Sequence, residues 1–256
     1  MTDTILSCDW GTSSFRLRLV NAADGTVLAT TTQGEGIAAV YNKWQKTGLP
    51  DNERSRFYLS VIREHVHTLV KKPAGSMPLI ISGMASSSIG ITELPYGNIP
   101  FPISPENLTV QRFAAGKEFE HDILMVSGLR SDNDVMRGEE TILVGCDTSA
   151  VNNSLYIFPG THSKHAFVAN NVLTELNTYM TGELFELLAT KSILSGSVAP
   201  AGEGLQEDVF AAAVQEGAEG NVMNIIFHVR TKQLLHKISA ASNYDYLSGL
   251  LIGAEL

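Results

Sequence analysis

An aspartate followed by a turn of small residues stands close to the start of the chain. Residues 9–13 read Asp-Trp-Gly-Thr-Ser, directly after a short apolar run. Small residues expose backbone N–H groups that bind phosphate, and a neighbouring carboxylate can hold a hydrated Mg²⁺ ion. The motif predicts a phosphate loop in which Gly11, Thr12 and Ser13 meet the phosphate and Asp9 organises the metal. An Asp-x-Gly-Thr sequence is also an ordinary turn, so both interpretations stay open for this motif alone.

A second turn of the same kind lies in the other half of the chain. Residues 159–164 read Pro-Gly-Thr-His-Ser-Lys, which repeats the Gly-Thr pair and adds a cation. Two such turns facing one cleft could hold opposite ends of a triphosphate. We call residues 9–14 the first corner and residues 159–164 the second corner. The residues predicted to bind phosphate in the second corner are Gly160, Thr161, His162, Ser163 and Lys164.

Both corners lie between predicted strands. Apolar and polar residues alternate with a period of two after the first corner, which is typical of a strand with one solvated face. The strands predicted are 5–10, 15–20 and 27–32 around the first corner, and 154–158, 165–169 and 172–180 around the second. Each half of the chain is therefore expected to contain a three-stranded meander.

A spaced repeat links the two halves. Gly34-Glu35 follows Gly11-Thr12 at nearly the same distance along the chain as Gly182-Glu183 follows Gly160-Thr161. Two β-turn-β-turn-β units, each followed by helical sequence, indicate duplicated α/β lobes with a cleft between them. The halves share no wider identity, so chance recurrence of two meanders remains the alternative.

The remaining elements are read from periodicity and turn residues. An apolar stripe at helical spacing predicts a helix over 57–70, ended by Pro73 and Gly75. Short apolar runs predict buried strands at 79–81 and 123–126, and open α/β sheets bind ligands at such strand ends. Further expectations are a helix over 134–146, a helix capped by Thr181, and largely helical sequence beyond Glu207.

Composition and charge limit the classes of protein to which this chain can belong. The chain has 256 residues, 44% of them hydrophobic, which is enough for a sizeable core, and a formal net charge of −9. With only 18 Lys and Arg residues, neither a nucleic acid nor an anionic membrane is an expected partner. Two cysteines without metal-ligand spacing and the lack of a long apolar run predict a soluble, unprocessed, cytoplasmic protein. A homodimer is the default expectation for its assembly.

Five segments resemble one family of sugar-acid kinases. They are DWGTSSFR at 9–16, SGM at 82–84, DVMRGEET at 134–141, FPGTHSKH at 158–165 and MTGELFELL at 180–188. Together they resemble the 2-dehydro-3-deoxygalactonokinase family within the sugar kinase/actin/Hsp70 superfamily. The resemblance implies a ribonuclease H-like (actin/hexokinase/Hsp70) α/β fold of two lobes. We expect residues 1–133 to carry the first corner and the sugar-acid site, and residues 134–256 to carry the second corner.

The activity implied by the resemblance is transfer of the ATP γ-phosphoryl group, with Mg²⁺, to the 6-hydroxyl of 2-dehydro-3-deoxy-D-galactonate. Arg16 follows Asp9 by seven residues, as in related glycerol-type kinases, and would stabilise the phosphoryl group in flight. A strand arginine facing water is the alternative. Arg137-Gly138-Glu139-Glu140-Thr141 is similar to a helix of exopolyphosphatases in the same superfamily. That analogy makes Glu140 the favoured base and Asp134 the second choice, with a solvated acidic pair on a helix face as the alternative.

The sugar-acid site is expected after the strand at 79–81. Ser82, Gly83, Met84 and the serine-rich residues up to Ser88 would line it with hydroxyl and N–H groups. A carboxylated substrate in an acidic protein also needs a cation, for which Arg137 or Arg130 is the candidate. The residues do not separate the galactonate-derived substrate from its gluconate epimer.

Family members usually continue past the helix that ends in LLIGxEL, with a segment similar to the adenosine-binding part of the superfamily. This sequence stops at Leu256, before that segment. Either the sequence omits that segment or the protein is shortened, and a shortened protein would be a sugar-acid-binding protein with impaired catalysis. A phosphatase of the same fold is a separate alternative.

Overall fold

The computed structural model describes residues 4–32, 34–70, 77–146, 152–200 and 204–256. Its strands are β1 (Thr4–Trp10), β2 (Phe15–Asn21), β3 (Val27–Thr31), β4 (Leu79–Gly83), β5 (Gly97–Asn98), β6 (Phe101–Pro102), β7 (Val110–Phe113), β8 (Ile123–Val126), β9 (Leu129–Arg130), β10 (Val135–Met136), β11 (Asn153–Phe158), β12 (Ser163–Ala169) and β13 (Val172–Tyr179). Its α-helices are α1 (Ile37–Thr47), α2 (Arg54–Leu69), α3 (Glu139–Gly145), α4 (Thr181–Lys191), α5 (Glu207–Glu219), α6 (Val222–Ile225), α7 (His228–His236) and α8 (Ala240–Glu255). The mixed α/β class predicted from the sequence is confirmed.

The largest sheet has six strands in the order β3-β2-β1-β4-β8-β7. β1 pairs antiparallel with β2 and parallel with β4, so it lies inside the sheet. Its side chains alternate between buried and partly exposed because successive residues of a strand point to opposite faces. The predicted meander around the first corner is confirmed, as are the strands predicted at 79–81 and 123–126.

Helices α1 and α2 pack against this sheet in one apolar cluster. Tyr58, Ile62 and Val66 recur at helical spacing on α2, and all three are buried in that cluster with core residues of β1, β2 and β4. The helix predicted over 57–70 is therefore confirmed. Its predicted end at Pro73 and Gly75 lies outside the described residues.

A short hairpin replaces the first part of one predicted helix. We expected a helix over 134–146, but β10 pairs antiparallel with β9, and the helix α3 begins only at Glu139. β9 also pairs with β5 in a three-stranded sheet. The prediction was wrong for the first residues because β10 pairs with β9, which is itself held by the distant strand β5, and helical periodicity does not reveal that pairing.

The chain divides into two compact units by its internal contacts. One comprises Met1–Tyr156 and Ala166–Leu176, and the other comprises Ile157–His165 and Asn177–Leu256. The predicted boundary after residue 133 falls inside the first unit. The assignment of functions to the two parts of the chain stays a prediction.

The second meander is confirmed as β11, β12 and β13. They form a sheet with β6 in the order β11-β12-β13-β6. Asn170 and Asn171 join β12 to β13 with φ angles of 50° and 62°. Positive φ at both residues is typical of the two-residue hairpin turn that matches strand twist, and asparagine tolerates it well.

The last fifty residues are helical, as predicted. Glycines bring α5 and α8 into close contact, since a Cβ at Gly217 would lie 2.2 Å from the carbonyl oxygen of Leu250. A Cβ at Gly253 would lie 2.0 Å from the carbonyl oxygen of Val214. Backbone packing at this distance holds α8 in a fixed position against α5. In the described ranges, no helix combines the length and apolar character that crossing a membrane requires.

Candidate active site

The first corner is a tight turn between β1 and β2. Gly11 N–H donates to the Ser14 carbonyl at 2.9 Å, which closes the turn. The Gly11 carbonyl accepts the N–H of Ile37 at 3.0 Å. The Thr12 carbonyl accepts the N–H of Ala38 at 3.1 Å. The first N–H groups of a helix have no partners within the helix, so the corner caps α1 and α1 fixes the corner.

The glycines of the Gly34-Glu35-Gly36 segment permit this contact. A Cβ at Gly36 would lie 2.3 Å from the Thr12 carbonyl oxygen, and a Cβ at Gly34 would lie 2.3 Å from Cδ1 of Phe15. Neither distance is compatible with a side chain. The Trp10 indole N–H also donates to the Glu35 carbonyl at 2.9 Å. The repeated Gly-Glu signal in the sequence therefore marks the segment that supports the corner.

Asp9 and Arg16 face each other across β1 and β2. Nη1 of Arg16 lies 3.6 Å from Oδ2 of Asp9, and the two side chains are 45% and 44% exposed. An exposed pair of this kind contributes about 0–1 kcal/mol. Both charges can therefore turn towards a ligand at little cost, and the structure brings these two predicted residues together.

The end of β4 lies directly beside the first corner. Ser82 is opposite Asp9, and Gly83 is opposite Trp10, in the parallel register of β1 and β4. Gly83 has a φ of 89°, and a Cβ there would lie 2.6 Å from the Trp10 carbonyl oxygen. A Cβ at Gly138, whose φ is 114°, would lie 3.2 Å from the Gly83 Cα. These glycines place the start of α3 next to the strand that carries Asp9.

Glu140, the favoured base, is fully buried on the first turn of α3. Burial raises the pKa of Glu140 to about 7, although the hydrogen bonds that the carboxylate accepts lower it. Oε2 accepts the Gly138 N–H at 2.7 Å, and Oε1 accepts the Thr141 hydroxyl at 3.1 Å. A carboxylate that titrates near neutral pH is suited to accept a proton from a hydroxyl group. The alternative of a solvated acidic pair is wrong for Glu140 because its side chain has no contact with solvent.

The other two acidic candidates lie apart from Glu140. Glu139 is partly exposed, and its Oε2 accepts the Arg137 N–H at 3.1 Å. Asp134 lies in the turn between β9 and β10, where its Oδ1 accepts the Val135 N–H at 2.7 Å. Asp134 is therefore on a hairpin and not on the helix that carries Glu140.

Arg137 joins the loop after β4 to an aromatic residue that the sequence analysis missed. Its Nη1 donates to the carbonyl oxygen of Ser86 and to the Ser86 hydroxyl oxygen, the latter at 2.6 Å. Its guanidinium lies 4.1 Å from the centre of the Tyr96 ring, and Nε lies 3.4 Å from the Tyr96 hydroxyl. A Cβ at Gly128 would lie 2.9 Å from that ring. No sequence signal marks Tyr96, because its role depends on pairing between distant segments.

The other residues of the predicted sugar-acid site are less closely linked. Ser86 and Ser87 are buried, Met84 is partly buried and Ser88 is exposed. Arg130 is exposed, and its Nε donates to Oδ1 of Asn98 at 3.0 Å. The structure thus connects Arg137, but not Arg130, to the serine-rich loop.

The second corner repeats the construction of the first. A Cβ at Gly182 would lie 2.4 Å from the Gly160 carbonyl oxygen and 2.8 Å from the Thr161 Cα. Glu183 N–H donates to the Thr161 carbonyl at 2.9 Å. His162 Nε2 lies 2.5 Å from Oε2 of Glu183. The N-terminus of α4 therefore supports the second corner as α1 supports the first.

Polar residues that end the second corner are buried and bonded to other parts of the chain. Ser163 Oγ donates to Oε1 of Glu255 at 2.6 Å, and His165 Nε2 lies 2.9 Å from the same oxygen. Lys164 is buried, and its Nζ donates to Oγ1 of Thr178 at 2.8 Å. The sequence analysis did not name Glu255, which is the last residue of α8.

Thr181 does not cap α4 in the predicted way. The residue before the helix is Met180, and no side chain accepts a hydrogen bond at the cap. The Thr181 hydroxyl instead donates to Glu255. The predicted cap was wrong because a carboxylate from a distant helix takes the hydroxyl group.

A magnesium site of the predicted kind fits the first corner. In the part of the chain that the structure describes, no three His, Cys, Asp or Glu side chains group closely enough to enclose a metal. Mg²⁺ usually keeps several waters and binds one or two carboxylates together with substrate phosphates. The half-exposed Asp9 carboxylate beside a turn of small residues fits that arrangement.

The geometry defines a mixed α/β protein in which two Gly-Thr corners are each fixed by a helix N-terminus. A model of the family described as 2-keto-3-deoxy-galactonokinase matches residues 9–256. That range includes both corners, α3 and α8. The chain belongs to this family.

Individual relatives agree with this assignment. The chain is 37% identical over 262 aligned residues to a protein of Rhizobium meliloti (strain 1021) named 2-dehydro-3-deoxygalactonokinase, covering 97% of this chain and 78% of that one. It is 33% identical over 184 residues to the 2-dehydro-3-deoxygalactonokinase of Escherichia coli (strain K12), covering 70% of this chain and 60% of that one. A crystal structure from Sinorhizobium meliloti, described as a 2-dehydro-3-deoxygalactonokinase protein, superposes with a TM-score of 0.81 at 33% identity. The superposition covers 98% of this chain and 79% of that one.

Proposed function

We propose that this protein is a kinase that transfers the γ-phosphoryl group of ATP to the 6-hydroxyl of 2-dehydro-3-deoxy-D-galactonate. The observation that carries the proposal is the family match over residues 9–256. The residues of both corners and of α3 lie within that match, and their contacts are compatible with phosphoryl transfer. The proposal also takes the chain as a duplicated-lobe fold of the actin/hexokinase/Hsp70 type.

At the first corner, Gly11, Thr12 and Ser13 would meet the γ-phosphate. Thr12 and Ser13 would do so through their backbone N–H groups, since the N–H of Gly11 donates to the Ser14 carbonyl. Asp9 would hold Mg²⁺ through its exposed carboxylate, and the ion would neutralise charge on the phosphates. Arg16, already 3.6 Å from Asp9, is placed to approach the transferred group. Phosphoryl transfer depends mainly on positioning and charge stabilisation, which these residue types supply.

Glu140 is our candidate for the group that accepts the hydroxyl proton. Its raised pKa of about 7 lets it exist as a carboxylate at neutral pH while keeping enough basicity to accept a proton. The side chain is covered in the ligand-free chain, so contact with the sugar hydroxyl requires a rearrangement when substrate binds. Asp134, in its hairpin turn, stays the second choice.

The sugar acid would bind beside the end of β4. Ser82, Gly83 and Met84 lie next to the first corner, and Arg137 would supply the cation for the substrate carboxylate. Because Nη1 of Arg137 is bonded to Ser86 and the guanidinium stacks on Tyr96, its position is fixed before substrate arrives.

At the second corner, we propose that backbone N–H groups of Gly160, Thr161 and His162 meet the other end of the triphosphate. Ser163 and Lys164 would act mainly by holding the corner, since both are buried and hydrogen bonded within the protein. The expected cytoplasmic location and homodimer stay predictions.

The test is an ADP-release assay with ATP and Mg²⁺, run separately with 2-dehydro-3-deoxy-D-galactonate, with its gluconate epimer and without sugar. The proposal predicts ADP release that requires the sugar acid and is faster with the galactonate-derived substrate. Phosphate release without sugar would indicate the phosphatase alternative. Calorimetric binding of the sugar acid without any ATP affinity would indicate the binding-protein alternative.

A further inference from the structure

Glu255 is a buried carboxylate near the end of α8 that the proposed reaction does not use. Its side chain is 7% exposed. It accepts hydrogen bonds from the hydroxyl groups of Ser163 and Thr181 and interacts with Nε2 of His165. A buried charge is tolerated only where such partners replace the lost water. The three partners therefore form a site built around this one carboxylate.

These partners come from the two segments that hold the second corner. Ser163 and His165 open β12, the strand into which the corner leads. Thr181 opens α4, whose next residues, Gly182 and Glu183, contact Gly160 and Thr161. One carboxylate thus holds both β12, the strand that follows the corner, and α4, the helix that supports the corner.

The carboxylate itself is held in a fixed place. Gly249 and Gly253 of α8 lie against the backbone of α5, where a Cβ at Gly249 would lie 2.5 Å from the Phe210 carbonyl oxygen. Glu255 follows on the same helix, so it cannot shift without moving this contact. Although burial alone would raise the pKa of Glu255, the hydrogen bonds from Ser163, Thr181 and His165 outweigh it and lower that pKa. The side chain is therefore an anion at neutral pH and accepts all three bonds.

We propose that Glu255 is a positioning residue for the second corner: it holds the backbone of Gly160, Thr161 and His162 in the geometry that binds nucleotide phosphate. The use of that geometry rests on the proposed kinase function. The contacts by which Glu255 holds β12 and α4 do not rest on that function. The positioning role and the kinase function can therefore be tested separately.

The test compares Glu255→Gln with Asn243→Ser. Glutamine keeps the shape of the side chain but loses the charge and puts an N–H₂ group opposite a donor. Asn243 also anchors α8, since its Nδ2 donates to the carbonyls of Ser197 and Val229, but none of these contacts involves the second corner. The control therefore removes two bonds of α8 and leaves every bond to Glu255 in place. Thr181→Val, which removes one donor and keeps the shape, is a milder second variant.

Two readouts are measured on the full chain. The first is amide hydrogen exchange of Glu183, whose N–H is bonded to the Thr161 carbonyl, in the absence of nucleotide. The second is the KM for ATP beside the KM for the sugar acid. We expect exchange at Glu183 to accelerate about tenfold in Glu255→Gln and less in Thr181→Val, with no change in Asn243→Ser. The KM for ATP should rise about tenfold while the KM for the sugar acid stays constant.

An unchanged exchange rate at Glu183 in both corner variants, or equal acceleration in Asn243→Ser, would overturn the positioning role. If exchange accelerates as expected but wild-type protein does not bind ATP, the kinase proposal fails while the fastening of the corner by Glu255 stands. If exchange accelerates and the KM for ATP is unchanged, the corner is held by Glu255 but its geometry does not serve the nucleotide, and the inference is contradicted.

Discussion

The two corners share a backbone construction and differ in what surrounds it. In each, a Gly-Glu segment comes so close to the Gly-Thr turn that only glycine fits, with Cβ distances of 2.3 Å at Gly36 and 2.4 Å at Gly182. In each, N–H groups at a helix start donate to carbonyls of the turn. The glutamate of each segment pairs with a nitrogen-bearing side chain, Lys43 for Glu35 and His162 for Glu183.

The polar side chains beside the two corners differ in their exposure and in their bonding partners. Asp9 and Arg16 are almost half exposed and bonded only weakly to each other. Lys164 and His165 are buried, and their nitrogens already interact with Thr178 and Glu255. Under the proposed function, the first corner would offer side-chain charge to a ligand, whereas the second would offer backbone N–H groups. The two corners thus share a backbone construction while the side chains around it differ.

The largest effect is expected from Asp9→Asn, which removes the exposed carboxylate of the first corner. We predict that kcat falls about 1,000-fold, the scale of losing one electrostatic contact to a transition state. Thermal stability should change little because the side chain is half exposed. Coupled kinetics and thermal melts check this, with Asp132→Asn in the β9–β10 turn as the control. Full activity in Asp9→Asn would refute the metal role of this corner.

Glu140→Gln is expected to lower kcat about 100-fold, as loss of a general base does. In the wild type, kcat should rise with pH and level off above about 7, the pKa to which burial raises this carboxyl group. Glu139→Gln, on the same turn but partly exposed, is the matched control. A Glu140→Gln enzyme with wild-type kcat would leave Asp134 as the candidate base.

Glu140→Gln also has an expected effect on how the free energy of unfolding depends on pH. The folded pKa of Glu140 lies above its ordinary value of 4.5, so the folded state keeps a proton that the unfolded state releases. Stability from this group is fully present below pH 4.5 and is lost as pH rises through about 7. Urea unfolding at pH 5 and pH 8 should show wild type losing stability relative to Glu140→Gln. An equal difference at both pH values would contradict the raised pKa.

The contrast between the corners is sharpened by exchanging a cation in each. Arg16→Gln should lower kcat about tenfold because an exposed guanidinium can reach the transferred group. Lys164→Met should change kcat less than about threefold, since its ammonium donates to Thr178 and not to the transferred group. Steady-state kinetics of the two variants measure this directly. A larger effect of Lys164→Met than of Arg16→Gln would reverse the proposed division of roles.

The smallest effect is expected from Lys43→Met. The ion pair between Lys43 and Glu35 joins side chains that are 62% and 48% exposed. Its loss should cost less than about 1 kcal/mol of unfolding free energy and leave kcat within about twofold. Denaturant titration and kinetics provide the check, and a strong loss of activity would mean that the support of the first corner depends on its charge.

Local patterns in the sequence predicted the meanders, the corners and α2, because alternation and helical spacing follow from the faces that each element buries. The Gly-Glu repeat also marked the segment beside each corner, although the glycine that meets the turn backbone is Gly36, after Glu35, in the first and Gly182, before Glu183, in the second. Contacts between distant segments were not accessible. The pairing of β9 with β5, the stacking of Arg137 on Tyr96 and the burial of Glu140 all depend on such contacts.

The second corner gives the clearest case of that limit. The sequence places Lys164 in a phosphate-binding motif, but its side chain donates to Thr178 within the protein. Glu255, which holds the corner, is distant in sequence and lies in an apolar helix where no motif marks it. The backbone motif is readable from the residues, whereas the side chains that serve it depend on the packed structure.

The central proposal is that each corner binds nucleotide phosphate through its backbone N–H groups. The most direct test is an NMR titration of threonine-¹⁵N-labelled protein with Mg²⁺ and a non-hydrolysable ATP analogue. The claim predicts that the amide signals of Thr12 and Thr161 shift together with one affinity, while those of Thr190 and Thr231 stay in place. Unperturbed Thr12 and Thr161 signals at saturating nucleotide, or a shift in only one of them, would contradict it.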